Sequence, residues 1–151
     1  MYTIYQIAKW FFLKDKNISA KKLQKLCWYA YSWYIALTYD VETGESELLF
    51  DSNAEAWVHG PVFRELFTDY KYHEYCATNN AEDILNEEII AFLNDIYNVY
   101  GHMSGFELES LTHQEKPWLE AREGLDSLAP SLEEGAKESK PSLASNQGFS
   151  W

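Results

Sequence analysis

One stretch, from Lys22 to Leu37, constrains the fold of this chain more than any other. Its sequence is KLQKLCWYAYSWYIAL, and no glycine or proline interrupts it. Apolar residues recur there at three- and four-residue intervals, which is the spacing of one helical face. Further aromatic residues lie off that face, so the helix is apolar on more than one side. We therefore predict a mainly α, single compact domain built around this helix, with the rings in the core rather than in a cofactor site.

Residues with N-cap chemistry mark the starts of the other helices. Two of them are followed three residues later by Gln or Glu, which is the spacing of a capping box. The predicted caps, including the one for the central helix, are Thr3, Ser19, Asn86 and Ser104. Between the central helix and residue 60 the pattern changes, and we predict a small β-hairpin that pairs residues 48–50 with residues 54–58. Gly60-Pro61 is expected to end the second strand and to start a helix.

The end of the chain has a different composition. From Gly124 onward the sequence is rich in serine and glutamate and shows no periodicity. We therefore predict a domain of residues 1–123 followed by a polar C-terminal tail of residues 124–151.

The net charge of −12 is unevenly distributed along the chain. Residues 1–37 contain six lysines and one aspartate and carry +5, which leaves −17 for the remainder. Such acidity repels a phosphate backbone, so we expect no direct binding of nucleic acid. It favours a partner with a basic surface, although solubility alone is a sufficient explanation.

The cysteines and the apolar segments indicate the cellular compartment of the protein. Cys27 and Cys76 form neither a disulfide pattern nor a CxxC motif, which suits a reducing compartment. The N-terminal apolar run is too short for a signal peptide and lacks a basic leader. No stretch reaches the length of a membrane span. We therefore expect a cytoplasmic protein that has no membrane partner.

A search for catalytic chemistry gives little. His113 and Glu115 have the HxE spacing of zinc deaminases, but the PCxxC motif that those enzymes need downstream is missing. The sequence contains no HExxH, GxSxG, Walker or GxGxxG motif. Cys27 lies on the apolar face of the central helix, where burial makes a thiol unreactive. We predict a protein that is not an enzyme and has no metal or cofactor; a small enzyme using His113 and Glu115 is the weaker alternative.

Four blocks occur in one order along the chain. They are YQIAKWFFL at 5–13, KLQKLCWYAYSWYIAL at 22–37, AEAWVHGPVFRELF at 54–67 and YGHMSGFELESLTHQEKPWLEAR at 100–122. In this order they resemble the Panacea domain, the family of bacterial SocA-like antitoxins and phage-associated GepA-like proteins. The resemblance implies a mostly helical antitoxin, encoded beside a toxin that it neutralises by direct protein contact. An adaptor that delivers the toxin to a protease is the alternative within the same class.

The motifs that carry this resemblance are KLQKL, AW-x-x-GPV and LTH-x-E-x-PW. Carried over to this sequence, they mark a set that we call the signature residues: Lys22, Leu23, Gln24, Lys25, Leu26, Trp57, Gly60, Pro61, Val62, Thr112, His113, Glu115, Pro117 and Trp118. We expect these residues to serve the scaffold more than the partner, through turns, core anchors and a helix junction. Contacts with the toxin are then expected elsewhere, on the acidic residues around the predicted hairpin and on Phe149 and Trp151 in the tail.

Overall fold

A computed structural model describes residues 1–71 and 85–123 of the chain. Within these ranges six helices and one two-stranded sheet follow one another. In chain order they are α1 (Ile4–Lys14), α2 (Ala20–Leu37), β1 (Ala54–Trp57), β2 (Gly60–Phe63), α3 (Arg64–Lys71), α4 (Glu87–Tyr100), α5 (Gly105–Thr112) and α6 (Lys116–Ala121). The mainly helical class and the small hairpin are therefore confirmed. The predicted tail, residues 124–151, lies outside the described residues.

The four predicted N-caps are all present. The Thr3 and Ser104 hydroxyls each accept a hydrogen bond from the backbone N–H three residues later, and both capping boxes are complete. Ser19 and Asn86 cap α2 and α4 in the same way. Because these bonds involve only neighbouring residues, the sequence determines the helix starts locally.

Helix α2 is the centre of the fold, as predicted. Every side chain from Leu23 to Ser32 is buried, and α2 contacts α1, α3, α4, α5 and β2. Its Tyr29 ring stacks on Tyr100 of α4, with centroids 4.0 Å apart. The off-face aromatic residues lie in or against the core: Trp28 lies beside Phe63 of β2, and Trp33 donates its indole N–H to the Tyr100 hydroxyl at 2.9 Å.

The predicted pairing of the hairpin is wrong. β1 pairs not with residues 48–50 but with β2, in antiparallel register from Ala54 opposite Phe63 to Trp57 opposite Gly60. A tight turn at Val58 and His59 connects the strands, and Gly60 has φ +105°, which an L side chain rarely adopts. Pro61 therefore lies inside β2 rather than at a helix start, because a short hairpin strand tolerates its missing N–H. Helix α3 begins only at Arg64.

A helix that spans a bilayer is about 20 residues long and predominantly apolar. No helix in residues 1–71 and 85–123 has both the length and the apolar character that this requires.

Candidate functional site

Most of the signature residues meet around the turn of the β-hairpin. Three parts of the fold supply them: the first half of α2, the hairpin itself, and the junction between α5 and α6. Hydrogen bonds of buried or partly buried side chains connect these parts.

Gln24 joins α2 to β2. Its side-chain Nε2 donates to the Phe63 carbonyl at 3.0 Å, and the Phe63 N–H donates to Gln24 Oε1 at 2.9 Å. Gln24 is only 3% exposed, and both ends of its amide are satisfied. The residue is therefore a fixed link between helix and strand rather than a group available to a partner.

Lys25 lies on the same helical turn and is 1% exposed. Its Nζ donates to the Pro61 carbonyl at 3.1 Å. Burial lowers the pKa of Lys25 to about 7, although the Glu109 carboxylate acts in the opposite direction. The fold therefore contains a buried amine that changes its protonation state near neutral pH.

Gly60 lies directly against Lys25. A Cβ atom at this position would be 2.7 Å from Lys25 Cε and 2.9 Å from Thr112 Oγ1. Contacts this short are not tolerated between real side chains, and the backbone of Gly60 is itself in a region that favours glycine. Two independent reasons thus require glycine here.

Glu115 starts α6 and points into the core. It is buried, and its Oε1 accepts a hydrogen bond from the Tyr29 hydroxyl at 2.7 Å. Burial raises the pKa of Glu115 to about 7, while the bond from Tyr29 opposes that rise. The carboxyl group therefore connects the α5–α6 junction to the middle of α2.

His113 and Trp118 close the other side of the junction. Their rings stack with centroids 3.9 Å apart, and Trp118 Nε1 donates to the Trp57 carbonyl at 2.8 Å. Burial lowers the pKa of His113, although the charge of Glu109 opposes that shift. The prediction did not include Arg122, whose Nη1 donates to the Ala56 carbonyl at 2.8 Å. Its place in the same sequence block was the only signal that could have indicated this role.

Above this cluster lies a small charged surface, which the sequence analysis also missed. Glu109 is 2.8 Å from Lys21 Nζ and 3.1 Å from His59 Nδ1. Burial tends to raise the pKa of Glu109, but the hydrogen bond and charge of Lys21 outweigh it and lower the pKa. Lys21 also lies over the ring of Phe106, 4.1 Å from its centroid.

The remaining signature residues take ordinary structural positions. Lys22 is separate from the cluster. Its Nζ donates to the Gly101 carbonyl at 2.5 Å, next to the C-terminal end of α4, where the helix dipole favours a positive charge. Four others are buried apolar residues, namely Leu23, Leu26, Val62 and Pro117. The tail candidates Phe149 and Trp151 lie outside the described residues.

The chemical capacity of this cluster is limited by burial. Glu115 and Lys25 are inside the fold, and Cys27 is fully buried with its pKa raised by that burial. Within residues 1–71 and 85–123, no group of three His, Cys, Asp or Glu side chains is placed to hold a metal ion. The cluster holds α2, the hairpin and the α5–α6 junction in one arrangement.

Comparison with known proteins gives one match. The family model described as antitoxin SocA-like, Panacea domain, matches residues 23–119. This range includes every signature residue except Lys22. No curated protein and no solved structure matches the chain.

Proposed function

Because the chain belongs to the SocA-like, Panacea-domain antitoxin family, we propose that it neutralises a cognate toxin by direct protein–protein binding without catalysing a reaction. One observation of the structure supports this most. The polar signature side chains of the hairpin cluster bind the protein's own backbone and core, as Gln24, Lys25 and Trp118 do. They build a rigid scaffold, and the surface around it is left to bind the toxin.

The same geometry argues against the alternative of a small enzyme. His113 stacks on Trp118, and Glu115 is buried beneath α6 with its carboxyl group held by Tyr29. A general acid or base must reach the substrate directly or through one water molecule. Neither residue presents its reactive atoms at an open surface, so an antitoxin is the better-supported function.

The test is co-expression with the product of the neighbouring reading frame. We expect that product to stop growth when it is expressed alone, and the full chain to restore growth and to co-purify with it in a stable complex. The same rescue in a protease-deficient host would distinguish direct blocking from delivery to a protease. Growth that stays arrested, with no complex on a sizing column, would rule out the proposed function.

We extend the proposal to the tail, on the basis of its sequence. Residues 124–151 are too polar to form a core, yet they end with Phe149 and Trp151, which are residue types that anchor interfaces. We expect Phe149→Ala/Trp151→Ala to weaken binding of the toxin roughly tenfold, as loss of an interface anchor does. The free energy of unfolding of this variant should equal that of the wild type.

Calorimetric titration with the purified toxin measures this effect. The matched control is Ser142→Ala/Ser145→Ala, which alters the same tail without touching a ring. Equal affinity for all three proteins would show that the tail is a passive extension.

A further inference from the structure

The loop that follows α2 is closed by its own hydrogen bonds, and we call residues 37–48, which include the last residue of α2, the acidic loop. The Glu47 N–H donates to Thr38 Oγ1 at 2.9 Å, which closes the base of the loop. Nearer the tip, the Asp40 N–H donates to the Glu45 carbonyl at 2.9 Å and the Gly44 N–H donates to the Asp40 carbonyl at 2.8 Å. The loop therefore presents its side chains from a defined backbone.

The charge of this loop is of one sign. It contains Asp40, Glu42, Glu45 and Glu47, all exposed, and no lysine, arginine or histidine. None of the ion pairs found among the described residues involves these four carboxylates. Four carboxylates held together on one exposed loop create a field that attracts a cationic surface.

The same loop exposes apolar side chains. Val41 at the tip is 82% exposed, and Leu37 and Leu48 at the base are 65% and 41% exposed. An isolated exposed apolar residue needs no explanation, but these three share a short loop with the carboxylates. A partner that buried them would gain apolar contact in addition to the charge attraction.

A groove of about 440 Å³ adjoins the base of the loop. It is lined by Met1, Tyr2, Tyr34, Glu47, Leu48 and Leu49. Its walls are mainly apolar and aromatic, and the Glu47 carboxylate, which also accepts a hydrogen bond from the Tyr34 hydroxyl, supplies a negative charge. A second groove, which shares Met1 and Tyr2 with the first, is lined also by Asp51 and Glu65.

These features suit one kind of occupant. The aliphatic stem of a lysine or arginine packs well on apolar walls while its charged end meets a carboxylate. We propose that the groove and the acidic loop together bind a lysine- or arginine-bearing apolar segment of the toxin. This inference rests on the proposed function and adds to it the surface and the chemistry of the partner.

The principal test replaces two carboxylates without changing their shape. In Glu42→Gln/Glu47→Gln, the amide at position 47 can still accept the bond from Tyr34. We expect the association rate with the purified neighbouring gene product to fall roughly tenfold at low salt, with a weaker salt dependence than that of the wild type. A second variant, Val41→Ser, should mainly raise the dissociation rate, by roughly fivefold.

The matched control is Asp95→Asn/Glu120→Gln, which removes the same charge from exposed residues outside the loop and the grooves. Its association rate should stay within twofold of the wild type. Hydrogen exchange of the wild-type complex gives a measurement that needs no variant: the backbone amides of residues 40–47 should gain protection when the toxin binds.

The possible outcomes distinguish failure of the proposed binding surface from failure of the proposed function. If the wild type binds and neutralises, but both loop variants behave like the control and residues 40–47 gain no protection, the surface is wrong and the proposed function stands. If the wild type neither binds nor neutralises, the proposed function itself has failed. If the free chain dimerises and Glu42→Gln/Glu47→Gln dissociates the dimer, the occupant is a second copy and the inference is overturned.

Discussion

Replacing Gly60 with alanine is expected to lower the free energy of unfolding by roughly 3–5 kcal/mol, as overpacking combined with an unfavourable backbone does. The added Cβ would meet Lys25 Cε at 2.7 Å and Thr112 Oγ1 at 2.9 Å. Both side chains are buried, Lys25 at 1% and Thr112 at 1% exposure, so they have little free space into which they could move away from the added atom. Urea denaturation followed by circular dichroism measures the loss.

Gly44 provides the matched control for this experiment. It also has a positive φ, +74°, but a Cβ there would meet nothing within 4 Å. Gly44→Ala should therefore cost only the backbone penalty, about 1 kcal/mol. Equal losses in the two variants would mean that the contact with Lys25 and Thr112 contributes nothing to the requirement for glycine.

The second large effect is expected from Lys25→Met, in the pH dependence of stability. The pKa of Lys25 is 10.5 in an exposed chain and about 7 in the fold. Between these two values the unfolded chain binds a proton that the folded chain lacks, so stability rises as the pH rises from 7 to 10. Over that window the free energy of unfolding of the wild type should rise by roughly 3 kcal/mol relative to that of the variant, which has no amine to titrate.

Denaturation midpoints at several pH values measure this difference. Methionine keeps the length of the lysine stem, so the packing beside Gly60 is largely retained. Parallel stability curves for the wild type and Lys25→Met from pH 7 to pH 10 would contradict the assignment of Lys25 as a buried amine with a lowered pKa.

Glu115 provides a control, because its contribution to the pH dependence of stability has the opposite sign. Burial raises its pKa from 4.5 to about 7, so between those values the folded chain binds a proton that the unfolded chain lacks. Stability should therefore fall as the pH rises from 4.5 to 7, and Glu115→Gln, which can still accept the bond from Tyr29, should remove that fall. The effects of the two residues lie in separate pH windows and can be measured independently.

The parts of the fold that were predicted correctly are those that depend on residues close together in the chain. The caps at Thr3, Ser19, Asn86 and Ser104 need only the next three residues, and the core of α2 follows from its own periodicity. The hairpin was mispaired because Gly60-Pro61 has the residue types of a helix start as well as those of a strand after a turn. The strand is favoured by its pairing with β1 and by the packing of α2 against β2.

The site was predicted as a set of residues but not as an arrangement. Nothing near Lys25 in the sequence indicates that its amine is buried on the Pro61 carbonyl, since lysine is rarely buried. Tyr29 and Glu115 are far apart in the chain, and so are Arg122 and Ala56; their contacts exist only after the helices have packed. The proposed surface for the toxin coincides with no sequence motif, because exposure and the clustering of charge appear only in the folded chain.

The bonds from α2 and α6 to the hairpin have a consequence for how this protein can be recognised. On one side of the two-stranded sheet, Gln24 and Lys25 occupy main-chain groups of β2; on the other, Arg122 occupies the Ala56 carbonyl of β1. Open strand edges invite another chain to add a strand, in binding as well as in aggregation. On the β2 edge, side chains of α2 already occupy main-chain groups that an added strand would need, and on the β1 edge Arg122 occupies one carbonyl. In the proposed complex, we therefore expect a toxin to be held through side chains rather than by a strand added to β2, whose main-chain groups are already occupied.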